Sequence, residues 1–198
     1  MEKDTLIAQI IALEWPMFTS VHHTSGRALC QDDEKTFLIM RTSQFMAWDE
    51  ATLQSYLHDL QQAADADENL MTFKYGYMME TTHPAEYEII KEELPSISMK
   101  KRQLVMAILR QQIRWITETA ADYPNIIRHG RPIRESQAQQ GETAFETYTR
   151  CELMTYSEKT ITSLWQHIQR LKAQGRNMNE EVLQHTAALY GLKTIAAL

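Results

Sequence analysis

A motif in this chain returns 108 residues after it first appears, and that repeat constrains the fold more than any other feature. Ser43-Gln44-Phe45-Met46-Ala47-Trp48 is answered by Cys151-Glu152-Leu153-Met154-Thr155-Tyr156, and Glu34-Lys35-Thr36-Phe37 by Glu142-Thr143-Ala144-Phe145. At the same offset Asp49 matches Ser157, Thr52 matches Thr160, Ser55 matches Ser163, Gln61 matches Gln169, and Asn69-Leu70 matches Asn177-Met178. Upstream, Trp15-Pro16 pairs with Tyr123-Pro124, and each is followed by a Gly-Arg pair, Gly26-Arg27 and Gly130-Arg131. Any two amphipathic helices share a period. They do not for that reason share caps, a proline after an aromatic and an asparagine at a helix junction in one order. The repeat predicts two related halves, 1–95 and 99–198, packed about an approximate two-fold axis into one domain, 1–198.

The period of the apolar residues says what the halves are made of. After the cap at Asp49, Leu53, Tyr56, Leu57, Leu60, Ala63 and Ala64 fall on one helical face, and Ile161, Leu164, Trp165, Ile168 and Leu171 repeat that stripe in phase. Similar stripes mark helices over 3–15, 35–47, 68–81 and 99–120, the last the longest. A short helix begins at Pro84, which suits a first turn because a first turn leaves that N–H free, and ends near Pro95. No window alternates with period two for long enough to argue a strand. The expected fold is all-α, a compact helical domain of about eight helices. A chain of 198 residues buries roughly 70% of its unfolded surface, so it needs no disulfide or metal staple.

Charge and cysteine usage narrow the class. The formal charge is −6, so the bulk field favours neither nucleic acid nor an anionic membrane. Cys30 and Cys151 do not make a disulfide framework, and the start of the chain lacks a secretory pattern. A cytoplasmic location is expected, with no membrane span.

The phrases Gly26-Arg27-Ala28 with Cys30-Gln31-Asp32, Met40-Arg41-Thr42-Ser43-Gln44-Phe45 with Trp48, Tyr75 with Met78-Met79, Pro84 with Glu86-Tyr87, Gly130-Arg131-Pro132-Ile133, and Glu146-Thr147-Tyr148 running into Glu152-Leu153 and Thr155-Tyr156-Ser157 resemble a bacterial family of the domain of unknown function 4125 type. They cover nearly the whole chain. The resemblance carries no activity. It implies an accessory helical module, joined to or encoded beside a nucleotidyltransferase-like protein. The chain departs from the family pattern at Cys151, where relatives have glycine, and at Asp67-Glu68, where a Gly-Arg precedes the Asn. The first departure argues against a catalytic Cys151.

Catalytic signatures are sparse. No glycine-rich phosphate loop, Gly-x-Ser-x-Gly elbow or His-Glu-x-x-His motif occurs. Ser98-x-x-Lys101 reads as a helix cap. A di-iron bundle needs two Glu-x-x-His pairs, and only Glu80-x-x-His83 fits, with Pro84 turning His83 off that face. His22-His23 with Cys30 matches no common zinc spacing. No metal and no cofactor is expected. In the basic segment Arg128-His129-Gly130-Arg131-Pro132-Ile133-Arg134, Arg128 and Arg134 suit the end of the long helix, while Arg131 can equally clamp an anion.

Across the two halves, Gln44 answers Glu152 and Arg27 answers Arg131. A two-fold packing brings Arg27, Arg41, Gln44 and Arg131 toward Glu146 and Glu152. A buried Glu needs a partner. Two functions follow from such a cluster. One is a module that binds a small anionic ligand, through Arg27, Arg41, Gln44 and Arg131, or a protein partner. The other is a small cofactor-free enzyme of lyase or isomerase type, with Glu146 or Glu152 and Tyr148 or Tyr156 as catalytic candidates.

Overall fold

The computed structural model describes residues 2–22, 26–125, 130–139 and 142–198. Its described residues form nine α-helices and no strand: α1 Lys3–Thr19, α2 Glu34–Met46, α3 Glu50–Asp65, α4 Leu70–Thr82, α5 Pro84–Ile90, α6 Met99–Asp122, α7 Phe145–Thr155, α8 Glu158–Ala173 and α9 Met178–Leu189. The all-α expectation holds. None of these helices is long and apolar enough to cross a membrane.

The caps sit where the sequence places them. Asp49 accepts from the Thr52 N–H at 3.0 Å and Ser157 from the Thr160 N–H at 3.1 Å. Asn69 and Asn177 each accept from two N–H groups of the following helix. Ser98 caps α6 through the Lys101 N–H. Each oxygen satisfies a donor that the first turn leaves unpaired.

Helix α1 packs on α2, α3 and α4, and α6 packs on α7, α8 and α9. Across the halves α2 meets α9, α4 meets α7, and α3 meets α8. At the α3–α8 contact Thr52 is bonded to Ser163 at 3.0 Å, and Thr160 to Ser55 at 2.8 Å. Thr160 is the repeat mate of Thr52, and Ser163 that of Ser55. A reciprocal pair of this kind is the pattern an isologous contact makes. The larger apolar cluster draws on Leu6, Phe45 and Leu53 and on Val105, Leu153 and Ile161.

The entry helices depart from the expected register. Pro16 lies inside α1, not at its end, whereas Tyr123 is the C-cap of α6 with Pro124 beyond it. Trp15-Pro16 and Tyr123-Pro124 are therefore not structural equivalents. The asparagines locate the true match: Asn69 Nδ2 donates to the Met17 carbonyl and Asn177 Nδ2 to the Trp115 carbonyl. Met17 and Phe18 are buried past the proline, and that burial carries α1 one turn further. Helix α6 continues past its asparagine contact because Ala120 joins Leu109, Ile113 and Ile133 in a second, smaller apolar cluster. Leu57 is buried as expected, but Trp165 is only partly buried against the core.

Candidate functional site

Among the described residues, four of the buried charged side chains cluster together in the core, apart from Asp59, which accepts from the Ser157 N–H. Glu14 lies on the apolar stripe of α1, in phase with Ile7, Ile10, Ile11, Met17 and Phe18. Lys74 lies on that of α4, in phase with Leu70, Met71, Tyr77 and Met78. Arg41 and Glu152 face inward from α2 and α7. Their exposures are 0% for Glu14, 6% for Arg41, 2% for Lys74 and 6% for Glu152. Burial of a charge in an apolar core is tolerated only with a partner and filled hydrogen bonds, and both conditions are met here.

Arg41 is the hub. Its Nε donates to Glu14 Oε2 at 2.7 Å and its Nη2 to Glu14 Oε1 at 2.5 Å. Its Nη1 donates to Gln44 Oε1 at 2.8 Å and to Glu152 Oε1 at 2.9 Å. Glu152 Oε1 also accepts from Gln44 Nε2 at 3.0 Å and the Tyr156 hydroxyl at 2.7 Å, while its Oε2 accepts from Lys74 Nζ at 2.6 Å. The Tyr56 hydroxyl donates to Glu14 Oε1 at 2.6 Å. Two carboxylates balance two cations, and no buried side-chain N or O atom of the described residues lacks a partner. An aromatic shell closes around the group: the Tyr56 and Tyr156 rings lie 4.6 Å apart, and the Arg41 guanidinium stands 4.7 Å from the Phe45 ring centre.

The electrostatics follow from that geometry. Burial alone would push the Glu152 carboxyl up, but Arg41 and Lys74 beside it outweigh burial and hold it well below its ordinary value. Burial disfavours the Lys74 charge, and Glu152 outweighs it and keeps the ammonium protonated. Burial, then the neighbouring carboxylates, push the Tyr56 and Tyr156 hydroxyls well up, so both stay neutral donors.

One side of Lys74 opens into a cleft. Its Nζ lies 3.5 Å from the centre of the Tyr148 ring, and the Arg131 guanidinium stands 4.7 Å from the same centre. The chain of contacts therefore runs from Glu152 through Lys74 and Tyr148 to Arg131. The cleft, about 180 Å³, has Arg41, Lys74, Arg131, Asp33, Tyr75 and Tyr148 in its walls, together with apolar residues of α1, α2 and α4. Burial pushes the Tyr75 hydroxyl up to about 12.

Of the residues singled out from sequence, Arg41, Gln44, Glu152 and Tyr156 meet in the network, and Tyr148 and Arg131 meet at the cleft. Arg27 and Glu146 join neither cluster. Arg27 is exposed and bonds to Asp32 at 2.8 Å and to the carbonyls of Thr19 and Gln31, whereas its repeat mate Arg131 stands over the Tyr148 ring. Glu146 stands in the first turn of α7, accepts from the Glu135 N–H at 3.0 Å and faces Arg134 at 3.5 Å. Arg134 thus serves this loop rather than the end of α6. Glu14, Lys74 and Tyr56 escaped the sequence reading. The signal was present for the first two: a charge in phase with an apolar stripe.

The remaining candidates are otherwise engaged. Glu80 is bound by Arg150 at 3.1 Å, and His83 is the non-helical cap between α4 and α5. Burial pushes the Cys151 thiol up to about 11, so it stays protonated and unreactive. No group of three metal-ligating side chains is found among the described residues. His23, Arg128 and His129 lie outside them.

No curated protein and no solved structure matches this chain. A family model does match, over residues 4–198: the chain belongs to DUF4125, described as a protein of unknown function.

Proposed function

We propose that this DUF4125 protein binds a small anionic ligand in the cleft beside Lys74, with Arg131 as the clamp. The observation that carries the reading is Arg131 in the wall of that cleft: Arg41 and Lys74 beside it have carboxylate partners in Glu14 and Glu152, whereas no ion pair of Arg131 is found among the described residues. Arg41 and Lys74 are fixed and neutralised by Glu14 and Glu152, so they form a rigid floor. Arg131 is exposed, and among the described residues its only hydrogen bond is Nη1 to the Thr143 carbonyl at 3.2 Å. It keeps donors for a ligand, and a planar guanidinium suits an anion with two oxygens.

The enzyme alternative draws less support. Glu152 is fully engaged by Arg41, Gln44, Lys74 and Tyr156, and a carboxylate held well below its ordinary value is a weak base. A second binding reading has an observation of its own. An apolar groove of about 590 Å³ between α1 and α2, walled by Ile7, Ile11, Trp15, Leu38 and Met46, supports a protein partner, the accessory role that the family resemblance suggests. The anion reading is tested by isothermal titration calorimetry with acetate, benzoate and inorganic phosphate. At least one should bind, and Arg131→Ala should weaken it by roughly tenfold or more. Absence of heat with every anion at millimolar concentration contradicts the reading.

A further inference from the structure

The donors and the walls of the cleft select among anions. Arg41 has spent four of its five N–H groups on Glu14, Gln44 and Glu152. Lys74 gives one donor to Glu152 and lies over the Tyr148 face. Among the described residues of the wall, Arg131 keeps the most guanidinium donors uncommitted, with only its Nη1 bonded, to the Thr143 carbonyl. A phosphate carries close to two negative charges, more than the single charge of Arg131 balances, since Arg41 and Lys74 are already paired with Glu14 and Glu152. A carboxylate presents two oxygens and one charge, which a single guanidinium fills.

Beyond the cations one part of the wall is apolar. Phe18 and Phe37 stack with centres 5.0 Å apart and planes 21° from parallel, and Met40 and Met71 line the same cleft. Asp33 at the lip is fixed as the N-cap of α2 by the Thr36 N–H at 3.0 Å, and that bond holds its carboxyl below the ordinary value. It disfavours a second negative charge on the ligand. About 180 Å³ equals the liquid volume of about six waters, well below the roughly 300–1,000 Å³ of drug-sized sites.

Resting on the anion-site reading, we infer that the ligand is a small organic monocarboxylate with an apolar or aromatic body, its carboxylate on Arg131 and its body against Phe18, Phe37 and the two methionines. The probes are sodium benzoate, sodium acetate and sodium phosphate, titrated into the full chain and into Arg131→Ala and Arg131→Lys. Benzoate should bind at least about tenfold more tightly than acetate or phosphate. Arg131→Ala should lose that binding, and Arg131→Lys, which keeps the charge without the fork, should recover only part of it. Arg131 is exposed, so both variants should fold, and an unchanged melting temperature checks that they do. Phosphate binding as tightly as benzoate overturns the ligand class while leaving an anion site standing. Benzoate binding that survives Arg131→Ala overturns the assignment to this cleft, and silence from all three probes takes down both readings.

Discussion

Glu152 ties α7 to two other helices through three charge-assisted contacts, accepting from Arg41 and Gln44 on α2 and from Lys74 on α4. Removing a partner from such a group leaves an uncompensated buried charge. Arg41→Ala should therefore lower unfolding stability by about 3–5 kcal/mol, read as a fall in the urea midpoint; a loss under about 1 kcal/mol, the value of a surface pair, contradicts the account. The pH dependence has a definite sign. The folded carboxyl of Glu152 lies below its ordinary value of 4.5, so its contribution is complete above that pH. The contribution is lost as pH falls through the folded value, because the unfolded chain takes up the proton first. Denaturation at a series of pH values should show wild-type stability falling in acid, with a shallower fall in Glu152→Gln. Equal slopes for the two proteins would contradict it. At this scale the sequence was partly legible: the repeat pointed to Arg41, Gln44 and Glu152. Glu14 and Lys74 were readable only by treating a charge on an apolar stripe as a core residue, because hydrophobic pattern alone discards it.

Among the elements, α1 shows how tertiary contacts override a local signal. A proline removes one hydrogen bond from a helix interior, and the sequence alone argues for an end at that point. The final turn survives because side chains from elsewhere satisfy its carbonyls. Gln31 Nε2, on a residue 1% exposed, donates to Phe18 at 3.0 Å and, just beyond the helix, to Val21 at 2.9 Å. Asn69 donates to Met17 at 2.8 Å and Arg27 to Thr19 at 2.9 Å. Arg27, exposed and away from the charged network, takes part in holding this turn. Gln31→Ala should strand those carbonyls and cost about 1–3 kcal/mol, with amide exchange accelerated in the last turn of α1 and not in α8. Protection that is unchanged there would show that the turn needs no such support. Helix identities and caps were legible because period and capping are local. The position of α1's end was not, because it is set by Gln31 and Asn69, far away in sequence.

For the whole molecule, the reciprocal Thr52–Ser163 and Thr160–Ser55 bonds and the crossed packing of α2 with α9 and α4 with α7 follow the pattern that the repeat predicts. The polar residues break that pattern: Gln44 stands where its mate is Glu152, and among the described residues the charged network forms once, with Lys74 of α4 in the wall of the cleft. The repeat could reveal which helices meet; it could not reveal a site that depends on where the halves differ. The resulting claim is that the buried network holds the fold while Arg131, at its outer end, holds a ligand. Thermal unfolding of wild type and Arg131→Ala with increasing benzoate separates these roles most directly. The account predicts equal melting temperatures without ligand, and in wild type alone a rise equivalent to about 2.7 kcal/mol at a hundred times the dissociation constant. Parallel curves for the two proteins, or a variant already destabilised without benzoate, would contradict it.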